Sequence, residues 1–167
     1  MVQYDGASGG TDCLDESGGS RVANLARHAD VEWNGTLMEG NGQVKAGTGA
    51  FSLPVTFPSR IGEGDGKTTP EEMLAASHAV CYAMGLAATI GRQGGKAKRV
   101  RVTATVTADK GDAGIKVVSS HIKAVAEGLE GIERAKFDEV AKMAEQRCPI
   151  SNAIRGSVNI TVESSVS

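Results

Sequence analysis

Two cysteines, Cys81 and Cys148, are the side chains of this sequence best suited to redox or nucleophilic chemistry. The reactive form of cysteine is the thiolate, and a nearby cation favours it by lowering the pKa of the thiol. Cys81 lies mid-way along an apolar segment typical of a helix, where the helix dipole has little effect. Arg60 precedes that segment, and Glu71 at its start can hold an arginine. If Cys81 is reactive, Arg60 is therefore the candidate cation that we expect to lower its pKa.

The alternative interpretation is that both cysteines are inert. A free cysteine behaves as a small hydrophobe, and apolar surroundings raise its pKa. Taken singly, Cys81 and Cys148 favour this interpretation. Taken together they favour chemistry, because both lie beside elements that must pack against each other.

The histidines do not predict a metal site or a cofactor. His28, His78 and His121 fall on separate predicted elements, and the only close pair with a cysteine is His78 and Cys81. Two ligands do not make a zinc site. His78 is therefore expected either to pack in the core or to line the site and form hydrogen bonds there.

A phosphate loop is also excluded. Residues 66–68 (Gly-Lys-Thr) resemble the end of such a loop, but the motif requires glycine where this chain has Ile61. The helix that follows begins with Glu71 and Glu72, whose carboxylates would repel phosphate.

Composition excludes several functional classes. The 167 residues include 18 Lys and Arg against 20 Asp and Glu, a net charge of −2. This balance argues against a basic nucleic-acid binder and a polybasic membrane-surface protein. The sequence contains no run of about 18 unbroken apolar residues, so no membrane span is predicted. The opening residues lack the features of a secretory signal, so a cytoplasmic location is expected.

The chain divides into two parts. Residues 1–20 are rich in Gly, Ser, Asp and Glu, which predicts a flexible leader that includes Cys13. Residues 21–167 form one predicted domain. Three cysteines are too few and too scattered for a disulfide scaffold.

Hydrophobic periodicity predicts an α+β fold with an antiparallel sheet and two main helices. A capping box predicts a helix start at Thr69-Pro70-Glu71-Glu72, and this helix runs to Ile90. The second helix covers 133–146 and ends before Cys148-Pro149. The predicted strands are 28–33, 36–38, 43–46, 51–55, 98–108, 115–127 and 158–162, with a bulge near Ser119-Ser120.

The long helix is apolar on nearly every face, which is typical of a buried helix. One small sheet cannot cover it. Either the two helices pack back to back or a second subunit covers the remaining face, and we favour a homodimer.

Several segments together resemble the OsmC/Ohr family, the osmotically inducible protein C and organic hydroperoxide resistance proteins. The two signature segments are 68–84 (TTPEEMLAASHAVCYAM) and 147–154 (RCPISNAI). Residues 28–35 are similar to the family's first strand, and 57–60 to the segment that carries its arginine. The resemblance covers 22–162 and is closer to the OsmC branch.

The resemblance implies an intertwined homodimer, a long buried central helix, and a peroxidase that reduces organic hydroperoxides in oxidative or osmotic stress. Cys81 would be the peroxidatic cysteine and Cys148 the resolving one, joined in an intramolecular disulfide. Arg60 would stabilise the thiolate, with Glu71 as its partner. A dithiol would recycle the enzyme, and lipoylated proteins are the attested class of reductant.

The expected substrate pocket includes His78, Met84 and Phe57. Its apolar character favours alkyl or lipid hydroperoxides over hydrogen peroxide. Two alternatives stay open: a non-catalytic binding module with inert cysteines, and a thiol sensor that relays oxidation to a partner.

Overall fold

The computed structural model describes residues 25–167, so the predicted leader and Cys13 lie outside the described residues. The described residues form two three-stranded sheets and a set of helices. In chain order the elements are β1 (Ala29–Asn34), β2 (Asn41–Ala46), β3 (Ser52–Val55), α1 (Phe57–Ile61), α2 (Pro70–Arg92), β4 (Arg99–Gly111), β5 (Gly114–Glu127), α3 (Phe137–Arg147), α4 (Pro149–Ile154) and β6 (Asn159–Val166). A 3₁₀ turn over Arg134–Lys136 leads into α3.

The first sheet is antiparallel, in the order β1-β2-β3. Its first hairpin closes through 35–40, and Gly35 has a φ of 88°, in the left-handed region that favours glycine. The predicted strand at 36–38 is wrong. The backbone NH of Gly40 donates to the carbonyl of Thr36, and that of Glu39 donates to the Thr36 hydroxyl. This segment is therefore part of the hairpin loop.

The second sheet has the order β4-β5-β6. Strands β4 and β5 pair antiparallel with a bulge, because Thr107 opposes Ser119 whereas Ala108 opposes Val117. The extra residue, Val118, lies next to the predicted bulge. The α+β class is confirmed, but β6 pairs parallel to β5, so the expectation of a wholly antiparallel sheet is wrong. The chain crosses over through α3 and α4 before β6, as a parallel connection requires.

Helices α2 and α3 pack against each other, with α2 also against β4 and α3 against β6. The apolar faces meet in one core. Its fully buried members are Tyr82, Leu86, Ile90, Ile122, Ala124, Ala126, Phe137, Val140, Ala141, Ala144 and Cys148. The relative placement of α2 and α3 is also fixed by a hydrogen bond from the Tyr82 hydroxyl to the carbonyl of Ala141, at 3.0 Å.

At the start of α2, only one of the two hydrogen bonds of the predicted capping box is formed. The Thr69 hydroxyl accepts the backbone NH of Glu72 at 3.1 Å, and Pro70 occupies the first turn. The Glu72 carboxylate does not return to the cap. It accepts the hydroxyl of Thr68 at 2.9 Å instead.

The outer face of α2 is open in a single chain. Val80 is 60% exposed and Met84 is 63% exposed, so the prediction of a helix buried on all sides is wrong for one chain alone. Among the helices of 25–167, α2 alone is long and apolar enough to cross a membrane, with a mean hydropathy of 1.5 over its best window. Tyr82, Leu86 and Ile90 on its inner face lie in the core, whereas most of that window is not buried in one chain.

Thr69→Ala removes the helix cap and should lower the free energy of unfolding by about 1 kcal/mol. Thr69→Ser keeps the hydroxyl and should restore most of that stability. Urea denaturation of the three proteins measures the difference. Equal stability of Thr69→Ala and wild type would show that the cap does not contribute.

Candidate active site

The sulfurs of Cys81 and Cys148 lie 3.2 Å apart, and both residues are free thiols. Cys81 is half-buried on α2, whereas Cys148 is 1% exposed. The structure thus brings together two cysteines that are 67 residues apart in the chain. Two thiols at this separation need only a small movement to form a disulfide, whose S–S bond is about 2.05 Å long.

The sequence around Cys148 explains its position. Pro149 disfavours the helical conformation in the preceding residue, and Cys148 accordingly has an extended backbone, with φ −72° and ψ 117°. Helix α3 therefore ends at Arg147 and α4 starts at Pro149. Cys148 is the N-cap of α4, and its sulfur accepts the backbone NH of Ser151 at 3.5 Å.

Burial raises the pKa of the Cys81 thiol above its ordinary value, and the neighbouring Cys148 raises it further. A backbone hydrogen bond from Ile150, in the first turn of α4, acts in the opposite direction. Arg60 is not among the groups that shift this pKa, so the expected lowering by Arg60 is not seen in this structure. The reason is visible in the arginine's own contacts.

Arg60 and Glu71 form a bidentate ion pair at the mouth of the site. The Nε of Arg60 donates to both carboxylate oxygens at 3.1 and 3.2 Å, and its Nη2 donates at 2.6 Å. Both side chains are half-buried, and the hydrogen bond from Arg60 lowers the pKa of Glu71. Because an ionised carboxylate compensates the guanidinium charge, Arg60 has less effect on a thiol than an unpaired arginine would have.

Local sequence places the two partners. Thr56 caps α1 by accepting the NH of Ser59, and Pro58 lies in the first turn, so Arg60 stands at the end of a short, fixed helix. Glu71 lies in the first turn of α2. The hydrogen bonds that the Arg60 side chain makes within 25–167 use Nε and Nη2, which leaves Nη1 for a ligand.

Arg60, Glu71, Cys81 and Met84 line one open cleft with a volume of about 1360 Å³. We call it the Cys81 cleft. Its other walls are largely apolar and include Phe51, Leu53, Met73, Val80, Val106 and Ile150. Cys148 lies behind Cys81, away from the cleft surface. Three of the four predicted catalytic residues thus share the cleft, and the fourth contacts Cys81.

Two predicted pocket residues lie elsewhere. His78 is fully buried, with its ring nitrogens 2.8 Å from the hydroxyls of Ser120 and Ser151, so it does not line the cleft. Phe57 lines a neighbouring cavity of about 230 Å³ between α2 and the first sheet, which also touches Arg60. Which cavity a side chain such as His78 or Phe57 faces depends on tertiary packing, and local sequence patterns do not determine it.

Sequence reasoning missed Ser151 and Ser120. Ser151 comes two residues after Pro149, which is a typical start of a short helix. Its hydroxyl could therefore have been identified as a hydrogen-bonding group in the first turn of that helix. Ser120 carried no local signal, because only the register of β5 places it opposite α2.

Comparisons with known proteins agree with this arrangement. The model of the OsmC-like protein family matches residues 62–163. Peroxiredoxin OsmC of Escherichia coli strain K12 is 30% identical over 137 residues, which is 81% of this chain and 94% of the relative. Organic hydroperoxide resistance protein OhrB of Bacillus subtilis strain 168 is 24% identical, over 73% of this chain and 88% of its own.

Solved structures have the same fold. A crystal structure from Legionella pneumophila, described as an organic hydroperoxide resistance protein OsmC and predicted redox protein, superposes with a TM-score of 0.70 at 25% identity. The match covers 87% of this chain and all of that one. The resemblance found in the sequence is thereby confirmed, and the chain belongs to the OsmC-like protein family.

Proposed function

We propose that this protein is a cysteine-based peroxidase that reduces organic hydroperoxides to alcohols. The observation that carries the proposal is the 3.2 Å contact between the sulfurs of Cys81 and Cys148 beside a cleft that also holds Arg60 and Glu71. The names of the relatives, peroxiredoxin and organic hydroperoxide resistance protein, support the same reaction class.

In the first step the Cys81 thiolate attacks the outer oxygen of the hydroperoxide. The O–O bond breaks, Cys81 becomes a sulfenic acid, and the alkoxide takes a proton to leave as an alcohol. Arg60 Nη1 donates to the peroxide and stabilises the negative charge that develops on the leaving oxygen. A planar guanidinium held by Glu71 can do this while keeping a fixed direction.

The second step consumes the sulfenic acid. The sulfur of Cys148 attacks that of Cys81, the S–O bond breaks, and the thiol proton leaves with the hydroxide as water. The resulting Cys81–Cys148 disulfide is then reopened by thiol–disulfide exchange with a dithiol. A lipoylated protein is the reductant that we propose.

The composition of the cleft supports organic substrates. Its walls carry Phe51, Leu53, Met73, Val80 and Met84. Apolar walls of this kind stabilise an alkyl chain but gain nothing from hydrogen peroxide. Bulky alkyl or lipid hydroperoxides are therefore the proposed substrate class.

One observation favours a second candidate, a non-catalytic module of the same fold. The pKa of Cys81 is raised, as expected of an inert buried thiol. The two candidates differ in turnover and in the formation of a Cys81–Cys148 disulfide.

We also propose a homodimer, because Val80 and Met84 leave an apolar stripe on α2 exposed. The first sheet adds further exposed apolar side chains. These include Val31, Leu37, Met38, Phe51 and Leu53. A second copy is the occupant that buries both regions at once.

Turnover of cumene hydroperoxide should exceed that of hydrogen peroxide, with dihydrolipoamide or dithiothreitol as the reductant. Apolar contacts in the Cys81 cleft favour the larger substrate. In Cys148→Ser, one equivalent of peroxide should be reduced without formation of the disulfide. Mass spectrometry should then find one, two or three added oxygen atoms on Cys81.

Cys13→Ser is the matched control and should retain wild-type turnover. A small dithiol can resolve the sulfenic acid directly, so turnover of Cys148→Ser in dithiothreitol is not diagnostic. An oxidised wild type in which Cys81 is bridged to Cys13 would contradict the assignment. Absence of peroxide reduction by wild type would favour the non-catalytic module.

Arg60→Ala should lower the rate of Cys81 oxidation by on the order of 10²-fold, because the leaving oxygen loses its charged donor. Arg60→Lys should recover little of this rate, since a lysine cannot hold the same bidentate geometry. Stopped-flow oxidation measures the rates, and thiolate absorbance at 240 nm against pH measures the pKa of Cys81. If Arg60→Ala oxidises Cys81 at the wild-type rate, Arg60 is not part of the active site.

Glu71→Gln is the companion variant and should lower the rate less, because Arg60 remains but becomes mobile. The pKa of Glu71 is lowered on folding, so its carboxylate stabilises the fold above its ordinary pKa of 4.5. This contribution is lost as the pH falls through the lowered value. The difference in unfolding free energy between wild type and Glu71→Gln should therefore shrink in acid.

Sedimentation equilibrium at micromolar concentration should give twice the 17.2 kDa mass of one chain. Met84→Glu introduces a charge on the exposed stripe and should shift the equilibrium toward monomer. Lys110→Glu, at an exposed position near the end of β4, is the control and should remain dimeric. A stable monomer of the wild type would overturn the dimer proposal.

A further inference from the structure

His78 is a buried imidazole that the peroxidase mechanism does not use. It lies on α2, three residues before Cys81, and is fully buried. Its Nδ1 is 2.8 Å from the Ser120 hydroxyl on β5, and its Nε2 is 2.8 Å from the Ser151 hydroxyl on α4. One side chain therefore connects the helix that carries Cys81 to the central strand and to the short helix α4.

The Ser151 end of this connection leads to Cys148. The backbone NH of Ser151 donates to the Cys148 sulfur at 3.5 Å, and that sulfur lies 3.2 Å from Cys81. Ser151 and Cys148 are both buried, so neither contact competes with bulk water. The Ser120 end leads only into the sheet. The two serines thus differ in one respect that matters, their link to the sulfur pair.

We propose that His78 is a positioning residue for Cys148, acting through Ser151 to hold the first turn of α4 against α2 so that the two sulfurs stay in reach. The proposal rests on the proposed function, since it concerns formation of the Cys81–Cys148 disulfide. His78 does not touch the reacting atoms and transfers no proton in the step.

The chemistry of the imidazole suits this role. Burial lowers the pKa of His78 and outweighs the opposite effect of Glu145, so the ring is neutral near pH 7. A neutral imidazole has one donor and one acceptor nitrogen. Both are used, one for each serine. A buried polar group costs free energy unless it is paired, so loss of either serine leaves an unpaired nitrogen and loosens one side of the connection.

The step that this positioning serves is the attack of Cys148 on the Cys81 sulfenic acid. It depends on the distance and direction between two sulfurs, and a displacement of about 1 Å can cost as much as 10²-fold in rate. The first step, attack of Cys81 on the hydroperoxide, involves atoms in the Cys81 cleft, and α4 contributes to it only the backbone NH of Ile150 beside Cys81. A defect in positioning should therefore separate the two steps.

The test compares Ser151→Ala with Ser120→Ala, both in a Cys13→Ser background so that two thiols remain. Each variant removes one hydroxyl from the same imidazole. Under single-turnover conditions, loss of cumene hydroperoxide measures the first step and appearance of the disulfide measures the second. We expect Ser151→Ala to slow disulfide formation by about 10-fold or more, with sulfenic acid accumulating, while the first step slows much less. Ser120→Ala should form the disulfide at nearly the wild-type rate.

Two substitutions of His78 provide a second comparison. The amide nitrogen of glutamine can occupy the place of Nε2, whereas that of asparagine lies near the place of Nδ1. His78→Gln should therefore retain rapid disulfide formation, and His78→Asn should not. Tyr82→Phe, which removes a buried hydrogen bond from the same helix to α3, controls for a general loss of stability.

Equal effects of Ser151→Ala and Ser120→Ala on disulfide formation, or no effect of either, would overturn the proposal. So would a slowing in Tyr82→Phe as large as that in Ser151→Ala. Oxidation by diamide measures closure of the same disulfide without hydroperoxide. If the wild type does not reduce hydroperoxide but forms the disulfide with diamide, the proposed peroxidase function is wrong. The role of His78 is still tested in that case, because the two serine variants can be compared in the diamide reaction.

Discussion

The contact between the sulfurs of Cys81 and Cys148 is the constraint on which the arrangement of the helices depends. Three residues on one face of α2 contact the other helices: His78 contacts α4 through Ser151, Cys81 contacts Cys148, and Tyr82 contacts α3. Spacings of three and four residues place such side chains side by side on a helix. The sulfur contact thus lies between two hydrogen bonds that are themselves fully buried.

The break between α3 and α4 is the other half of this constraint. A cysteine inside a continuous helix would present its sulfur on one fixed face. Because Pro149 forces Cys148 into an extended conformation, the chain turns and the sulfur becomes the cap of a new helix. The NH groups at the start of α4 then face the sulfur pair, that of Ser151 toward Cys148 and that of Ile150 toward Cys81. A two-residue sequence, Cys-Pro, thereby determines the local geometry of the site.

Sequence reasoning succeeded where the signal is local. The start of α2 at Thr69-Pro70, its length, the long β4–β5 hairpin and its bulge all follow from patterns within one or two elements. It failed where the answer depends on distant partners. The parallel pairing of β6 depends on a crossover through two helices, and the orientation of His78 depends on serines 42 and 73 residues away.

The candidate site shows the same division. The pairing of Arg60 with Glu71 was predictable, since a carboxylate in the first turn of a helix lies near the segment that precedes it. The direction in which the pKa of Cys81 shifts was not predictable in the same way. It depends on how much water the surrounding side chains exclude and on whether a carboxylate already compensates the charge of the arginine.

The exposed stripe on α2 connects these electrostatics to assembly. In one chain the Cys81 cleft is open to water, and the charge of Arg60 is screened there as well as compensated by Glu71. A second copy over Val80 and Met84 would exclude water from the same cleft. The hydrogen bonds and charge of Arg60 would then act in a lower dielectric, where an interaction with a developing negative charge is several times stronger than at a wet surface. Burying the thiol alone raises its pKa, so enclosure favours reaction only if the arginine is enclosed with it. The position of Arg60 and Cys81 on the walls of one cleft meets that requirement.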